Sequence, residues 1–439
     1  MGPAARARGP HGVAIGLFLL VWLSCAWFGS WELNPNNATR LFGAIALVEQ
    51  GDAKIDRFET LTIDKAQFGQ HHYMDKAPGM TLLAAPVVAA ANAIGHTSSR
   101  DQVIDITSPS LHRFIKARLM LAVTLSSALL TAFATVLLLD LGTGITGSAS
   151  AGLFAALGYA LGSIIWGWST TLLGHAPVGA LLMVATWAVW RGTDGAREAG
   201  RWRYPILAGV ALGGALVIEF TAVFGGLCIG LWVLWRTRHA DTRAKARLYG
   251  TTVAVAVAML VPLALYNQIA FGTPFKLGYE GVVGFKGMDQ GLFGLTYPKP
   301  IVLYAITLGM RRGLIWVAPV LMLGVIGLRQ LIRDEATRDL GLLAVAIVSA
   351  VLLVNASYVY WDGGASIGPR HSVPAIPFLA LGLAPFWASL QARRERIVSA
   401  ALLGVSMAIN LAIAATDIFG SEFFTSPLRQ RTWPLFRDG

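Results

Sequence analysis

The chain has 439 residues, of which 55% are apolar and 13% charged, and a mean hydropathy of +0.59. That charged fraction is about half the ~25% usual in soluble domains, which excludes an ordinary soluble enzyme and points to a polytopic membrane protein. The net charge of +11 is no nucleic-acid footprint, because much of it falls in short loops between apolar runs, as the positive-inside rule requires.

In chain order, residues 12–29 form the first apolar run. Arg6 and Arg8 precede it and no small-residue cleavage site follows, so it reads as an uncleaved span with a cytoplasmic N-terminus. The longest polar run comes next, residues 34–79, where Asp52, Asp56, Glu59, Asp64 and Asp75 alternate with Arg40, Lys54, Arg57, Lys65 and Lys76. Residues 39–50 read as an amphipathic helix with Leu41, Ala44, Ile45 and Val48 on one face, capped by Asn34-Pro35-Asn36-Asn37. Pro78 opens a second apolar segment, residues 80–94. Its 15 residues fall short of the ~20 that a span needs. If it crossed, loops 191–203, 236–247, 329–338 and 391–396, with 4, 5, 3 and 3 Arg or Lys, would all face outside. The positive-inside rule therefore lays it along the outer surface, and the first outer loop extends over residues 30–118.

Residues 119–142, 148–166, 176–190, 205–218, 222–235, 248–270, 313–328, 340–360, 372–390 and 397–416 complete a set of about 11 spans, with the C-terminus outside. Residues 271–312 form a second large outer loop. The expectation is an all-α polytopic membrane protein of one domain, residues 1–439, with juxtamembrane helices in its first loop. Cys25 and Cys228 lie in apolar runs and form no disulfide framework or metal motif. No internal repeat or low-complexity segment is evident. Polar residues gather in four outer segments: 34–76, 169–175, 271–312 and 361–371. The last, Trp361-Asp362-Gly363-Gly364-Ala365-Ser366-Ile367-Gly368-Pro369-Arg370-His371, is a tight glycine-rich bend whose backbone N–H groups and Arg370 suit a phosphate.

Two of these segments carry a resemblance. Tyr73-Met74-Asp75-Lys76-Ala77-Pro78 resembles a turn in the first outer loop of the GT-C superfamily, the membrane glycosyltransferases that use polyprenyl-phosphate sugars, protein O-mannosyltransferases and aminoarabinose transferases among them. Asn37-Ala38-Thr39-Arg40 is similar to the acid-x-x-Arg helix start of the same loops, with Asn37 in place of the acid. The Gly368-Pro369-Arg370 turn and the Arg311-Arg312-Gly313-Leu314 entry to a span fit the same subgroup. The resemblance implies a GT-C fold and an inverting transfer on the outer face of a bacterial plasma membrane. The sugar would pass from a polyprenyl-phosphate carrier to a hydroxyl of a glycan, lipid or protein, with no nucleotide needed.

Such a reaction needs a carboxylate to take the acceptor's proton and cations to hold the leaving phosphate. Asp75, Asp56 and Asp64 are the candidate bases, in that order. Lys76 and Arg370 are the candidate phosphate ligands, and Arg40 either orders the carboxylates or joins them. Asn37, Tyr73, His371, Asp362, Glu219 and Arg312 are further candidate substrate contacts; Arg312 reads equally as a basic anchor at the membrane surface. No metal is required, although His71, His72, His175 and His371 with Asp75 could hold a divalent ion. Asn37-Ala38-Thr39 is also a formal glycosylation sequon, for which helix capping is the preferred reading. A lipid-linked-sugar flippase is the rival function, but it predicts mid-membrane charges and internal repeats. Asn37 keeps open a third reading, an inactive GT-C-like scaffold.

Overall fold

The computed structural model describes residues 11–29, 31, 33–193 and 202–438. Arg6, Arg8, Arg197 and Arg201, all used in the charge argument, lie outside the described residues.

Helix α1 (His11–Trp27) leads into the first loop. There α2 (Pro35–Gln50) begins one turn earlier than its apolar face predicts, because the Asn34 side chain accepts from the Asn36 N–H and Pro35 takes the first helical position. Gly51, at φ 71°, ends it. A two-stranded antiparallel hairpin follows, β1 (Ala66–Phe68) and β2 (His71–Tyr73), with Ala66 opposite Tyr73. The hairpin corrects the all-α expectation: Gly69, at φ +62°, turns the chain within two residues. Helix α3 (Gly79–Gly95) starts just after Pro78, as predicted. It packs between α2 and α4 (Pro109–Leu125), and its end is tied back to the loop: Asn92 donates to Glu49, Ser99 to Glu49, and Arg118 to Thr97.

The body continues with α5 (Ser127–Thr146), α6 (Ala149–Ala160), α7 (Ile165–Trp168), α8 (His175–Gly192), α9 (Arg203–Ile218), α10 (Ala222–Arg236), α11 (Thr242–Ala258) and α12 (Val261–Phe271). After the second large loop come α13 (Pro300–Thr307), α14 (Leu314–Val317), α15 (Leu321–Arg333), α16 (Arg338–Ser357), α17 (Ile376–Leu381), α18 (Leu383–Ser389), α19 (Arg393–Thr416) and α20 (Trp433–Asp438). Several segments expected as single helices are broken. Residues 148–166 divide into the 12-residue α6 and the short α7, whose residues are all buried. At 1.5 Å per residue α6 is ~18 Å long, too short to cross alone. Pro262 restarts α12, and Pro319 lies between α14 and α15.

Among the described residues, five helical stretches are long and apolar enough to cross a membrane: Pro109–Thr146, Thr242–Phe271, Arg338–Ser357, Arg370–Ser389 and Arg393–Thr416. Shorter apolar helices lie beside them. The body runs back and forth between two ends. At one end Ser127, starting α5, donates to the Thr171 carbonyl, and Asn37 on α2 accepts from the Leu172 N–H. The 18 residues of α8 carry the chain ~27 Å from there, and α9 brings it back. Both large loops gather at that first end.

Candidate active site

The hairpin sets the site's first side chains. Tyr73 ends β2, buried with its ring against Phe68 and Phe271. Asp75 and Lys76 follow it directly. The second loop lies on the same hairpin: Ala66 bridges Val282, and the Val283 N–H donates to the Lys65 carbonyl. Glycines permit this approach, since a Cβ on Gly278 would stand 2.7 Å from the Met74 carbonyl oxygen. Tyr279 is thereby held with its ring against Phe220 and Phe293, within reach of the charges of Glu219 and Asp75.

Asp75 is fully buried. Its Oδ2 accepts from Lys76 Nζ at 2.5 Å, and its Oδ1 has no partner among the described residues. Lys76 Nζ also lies 3.9 Å from Asp64 Oδ1, so two carboxylates share one ammonium. Burial would push the Lys76 ammonium down, but Asp75 and Asp64 outweigh it and hold Lys76 protonated above its ordinary value. Burial raises the Asp75 carboxyl above its usual 3.8; Lys76 opposes this and Asp64 adds to it.

Arg40 is the next cation, 1% exposed on α2. Its Nη1 donates to the Asn36 carbonyl and to Asn36 Oδ1, and its Nη2 to Glu219 Oε1 at 3.2 Å. Asn36 Nδ2 in turn donates to Asp64 Oδ2, linking the two ion pairs. Glu219 caps α9 at the hairpin between α9 and α10, wedged where two glycines make room. A Cβ on Gly174 would meet its Oε1 at 2.6 Å, and one on Gly79 would meet the Ile218 backbone at 2.7 Å. Burial raises the Glu219 carboxyl, opposed by the charges of Arg40, Lys76 and Arg370.

Arg370 arrives from the glycine-rich bend, where Gly363, Gly364 and Gly368 all have positive φ. Arg312 holds that bend. Its guanidinium, 1% exposed, donates to the carbonyls of Asp362 (2.8 Å), Gly364 (2.5 Å) and Ser366 (2.5 Å). Burial pushes Arg312 down to about 10, so it stays charged at neutral pH. Arg311 pairs with Asp362 at 2.8 Å. Arg312 and Asp362, both candidate substrate contacts, thus tie the bend together. The Arg370 guanidinium makes no hydrogen bond or ion pair with the described residues, and its Nε is buried. Asp64 is the acid acting most strongly on it, followed by Glu219. His371 stacks edge-on between His175 (5.0 Å) and Tyr358 (5.3 Å).

The structure therefore brings together Arg40, Asp64, Asp75, Lys76, Glu219, Arg370 and His371. It sets Asp56 apart on the outer flank, where its half-exposed carboxylate accepts from the His72 N–H and pairs with His71. Asn37 Oδ1 accepts from the Leu172 N–H at 2.9 Å. The four histidines fall into separate pairs, and no group of three or more metal-ligating side chains occurs among the described residues. Sequence reasoning missed Asn36, Tyr279 and Tyr358. Asn36 alone left a signal, four residues before Arg40 on one helix face.

No protein-family model matches the chain, and no curated protein matches it in sequence. Solved structures do. ArnT from Cupriavidus metallidurans bound to undecaprenyl phosphate is 14% identical, with a TM-score of 0.55 over 90% of this chain. Archaeal oligosaccharyltransferase AglB from Archaeoglobus fulgidus, in complex with an inhibitory peptide and a dolichol-phosphate, is 12% identical, with a TM-score of 0.57 over 93% of this chain. The chain spans 63% and 56% of those two chains. Both are GT-C superfamily glycosyltransferases, and at these identities the likeness establishes a GT-C-like membrane fold.

Proposed function

We propose that the chain is an inverting glycosyltransferase that moves a sugar from a polyprenyl-phosphate carrier to a hydroxyl on a glycan, lipid or protein. In this reading Asp75 takes the acceptor's proton through its unpartnered Oδ1. The acceptor oxygen attacks the anomeric carbon from the face opposite the phosphate. The bond from that carbon to the phosphate oxygen breaks, and the electron pair leaves with the polyprenyl phosphate. Lys76 and Arg370 receive its charge, with Arg40 behind them, and Arg can bind two of its oxygens where Lys binds one. Asp64 holds Lys76 in place, and Tyr279 keeps its proton because burial and Glu219 raise its phenol well above the ordinary value.

One observation carries the reading: a fully buried carboxylate with a free oxygen sits among three cations, two of which have an unpartnered buried Nε. Buried polar atoms without partners cost roughly 1–3 kcal/mol each, and a bound anion and hydroxyl would recover it. The experiment is sugar transfer by the Asp75→Asn variant. A lost general base lowers turnover by about 10²–10⁴ while donor binding persists; wild-type turnover would remove Asp75 from the chemistry. No step uses a divalent ion, so EDTA is expected to leave turnover unchanged, and a loss restored by Mg²⁺ would add a metal to the site.

The back-and-forth path supports eleven traverses: α1, α5, α6 with α7, α8, α9, α10, α11 with α12, α14 with α15, α16, α17 with α18, and α19. With the N-terminus cytoplasmic, the site lies on the outer face of a bacterial plasma membrane and the C-terminus outside.

A further inference from the structure

At the end of the bundle opposite the carboxylates, the last turns of α8 and α10 and the first turns of α11 enclose a cavity of about 440 Å³. Thr193, Arg236, Thr237, Arg243, Lys245 and Arg247 line it. Arg236 is fixed: its Nε donates to Thr193 Oγ1 and its Nη1 to Asp339 Oδ2, both at 2.6 Å, and its guanidinium lies 4.2 Å from the Trp190 ring centroid. Arg243 and Arg247 stand one turn apart on α11 and make no hydrogen bond or ion pair with any described residue. Lys245 donates only to the Arg238 carbonyl. The one acid of the lining, Asp241, is occupied as the N-cap of α11, accepting from the Ala244 N–H. Among the described residues, therefore, the cations of the lining outnumber its one acid, and the Arg243 and Arg247 guanidinium groups have no partner.

Its depth identifies the ligand. Eighteen helical residues separate it from His175, ~27 Å along α8 and close to the ~30 Å of a hydrocarbon core. Trp202 and Trp235, 66% and 59% exposed, mark the same level, where tryptophan side chains settle at a membrane surface. Helix α11 has no buried residue, so acyl chains can lie along it below the cavity. We propose that this cavity binds the phosphate headgroup of an anionic phospholipid, with Arg243 and Arg247 on the phosphate oxygens and Arg236 behind them.

The test uses the full-length protein in phosphatidylcholine nanodiscs with and without phosphatidylglycerol, reading the unfolding midpoint and the phosphatidylglycerol retained in native mass spectrometry. Wild type is expected to retain the lipid and to unfold several degrees higher with it. The combined Arg243→Gln, Lys245→Gln, Arg247→Gln variant should lose on the order of a hundredfold in affinity, three cations each contributing several-fold. Arg243→Lys with Arg247→Lys should keep most of the effect, and Arg247→Gln alone should lose an intermediate part. Arg393→Gln, Arg394→Gln, Arg396→Gln removes as many exposed cations from another basic loop and should leave retention unchanged. The proposal is overturned if the α11 variant retains phosphatidylglycerol like wild type, if the 393–396 variant loses it equally, or if inorganic phosphate in phosphatidylcholine gives the same rise.

Discussion

Asp75 and Lys76 show how two adjacent residues can differ in burial and still serve one site. Asp75 has 1% of its side chain exposed and Lys76 19%, so the ammonium is the more open of the two to solvent. Because Asp75 must be ionised to accept a proton and its carboxyl is raised, turnover should fall as pH drops through a value above 3.8. A pH profile of kcat whose acid limb lies at or below an ordinary carboxylate would assign the base elsewhere. Arg312 makes a second prediction. Lysine cannot span three carbonyls, so Arg312→Lys should loosen the bend and raise the donor KM more than it lowers kcat. Its effect should largely vanish when Arg370 is already Ala, because it acts through that side chain; full additivity would give Arg312 a separate role. At this scale the resemblance of two short segments singled out Asp75, Lys76, Arg40 and Arg370, and the structure gathers all four at one end of the bundle. The contacts of Asp56 with histidines and of Arg312 with backbone carbonyls were not legible, because sequence cannot tell a committed side chain from a free one.

Between helices, a few short-range devices decide the packing. Gly209 and Gly213, four apart on α9, bring α11 so close that a Cβ on either would stand 2.6 Å from a carbonyl oxygen of Thr252 or Ala256. Since α11 has no buried residue, this contact is its main attachment. Gly213→Leu should therefore detach α11 and destabilise the protein by roughly 1–3 kcal/mol through overpacking, read as a lower unfolding midpoint in detergent. An unchanged midpoint would show that α11 is held elsewhere. The Trp-x-x-x-Arg spacing occurs on two helices. On α8, Trp187 and Arg191 both donate to Asp140 Oδ2; on α10, Trp232 and Arg236 both donate to Asp339 Oδ2. The sequence reading passed over this spacing, because the partner acids lie 47 and 107 residues away from the two tryptophans. Asp140→Asn and Asp339→Asn should each cost about 1–3 kcal/mol, since each strands a largely buried guanidinium, and the two losses should add. The β hairpin escaped notice because three-residue strands carry too little alternation to stand out.

Over the whole molecule, the length of an apolar run was a weak guide to where its helices begin and end. The positive-inside argument kept residues 80–94 out of the spans; in the structure they form the 17-residue α3, packed between α2 and α4. Hydropathy could not foresee that residues 148–166 break into two helices, because a buried turn is as apolar as the helix it interrupts. Bringing the bend at Arg370 onto the first loop required α8, α9 and the second loop to pack between them, contacts that lie far beyond any local pattern. The central claim is that Lys76 and Arg370, almost 300 residues apart, hold one phosphate. Its most direct test is the affinity of wild type, Lys76→Ala, Arg370→Ala and the double variant for polyprenyl phosphate. Each single change should weaken binding by about ten- to a hundredfold, the loss of one charge-assisted contact, and the double should lose less than the sum. Near-wild-type binding by both single variants, or strict additivity, would contradict it.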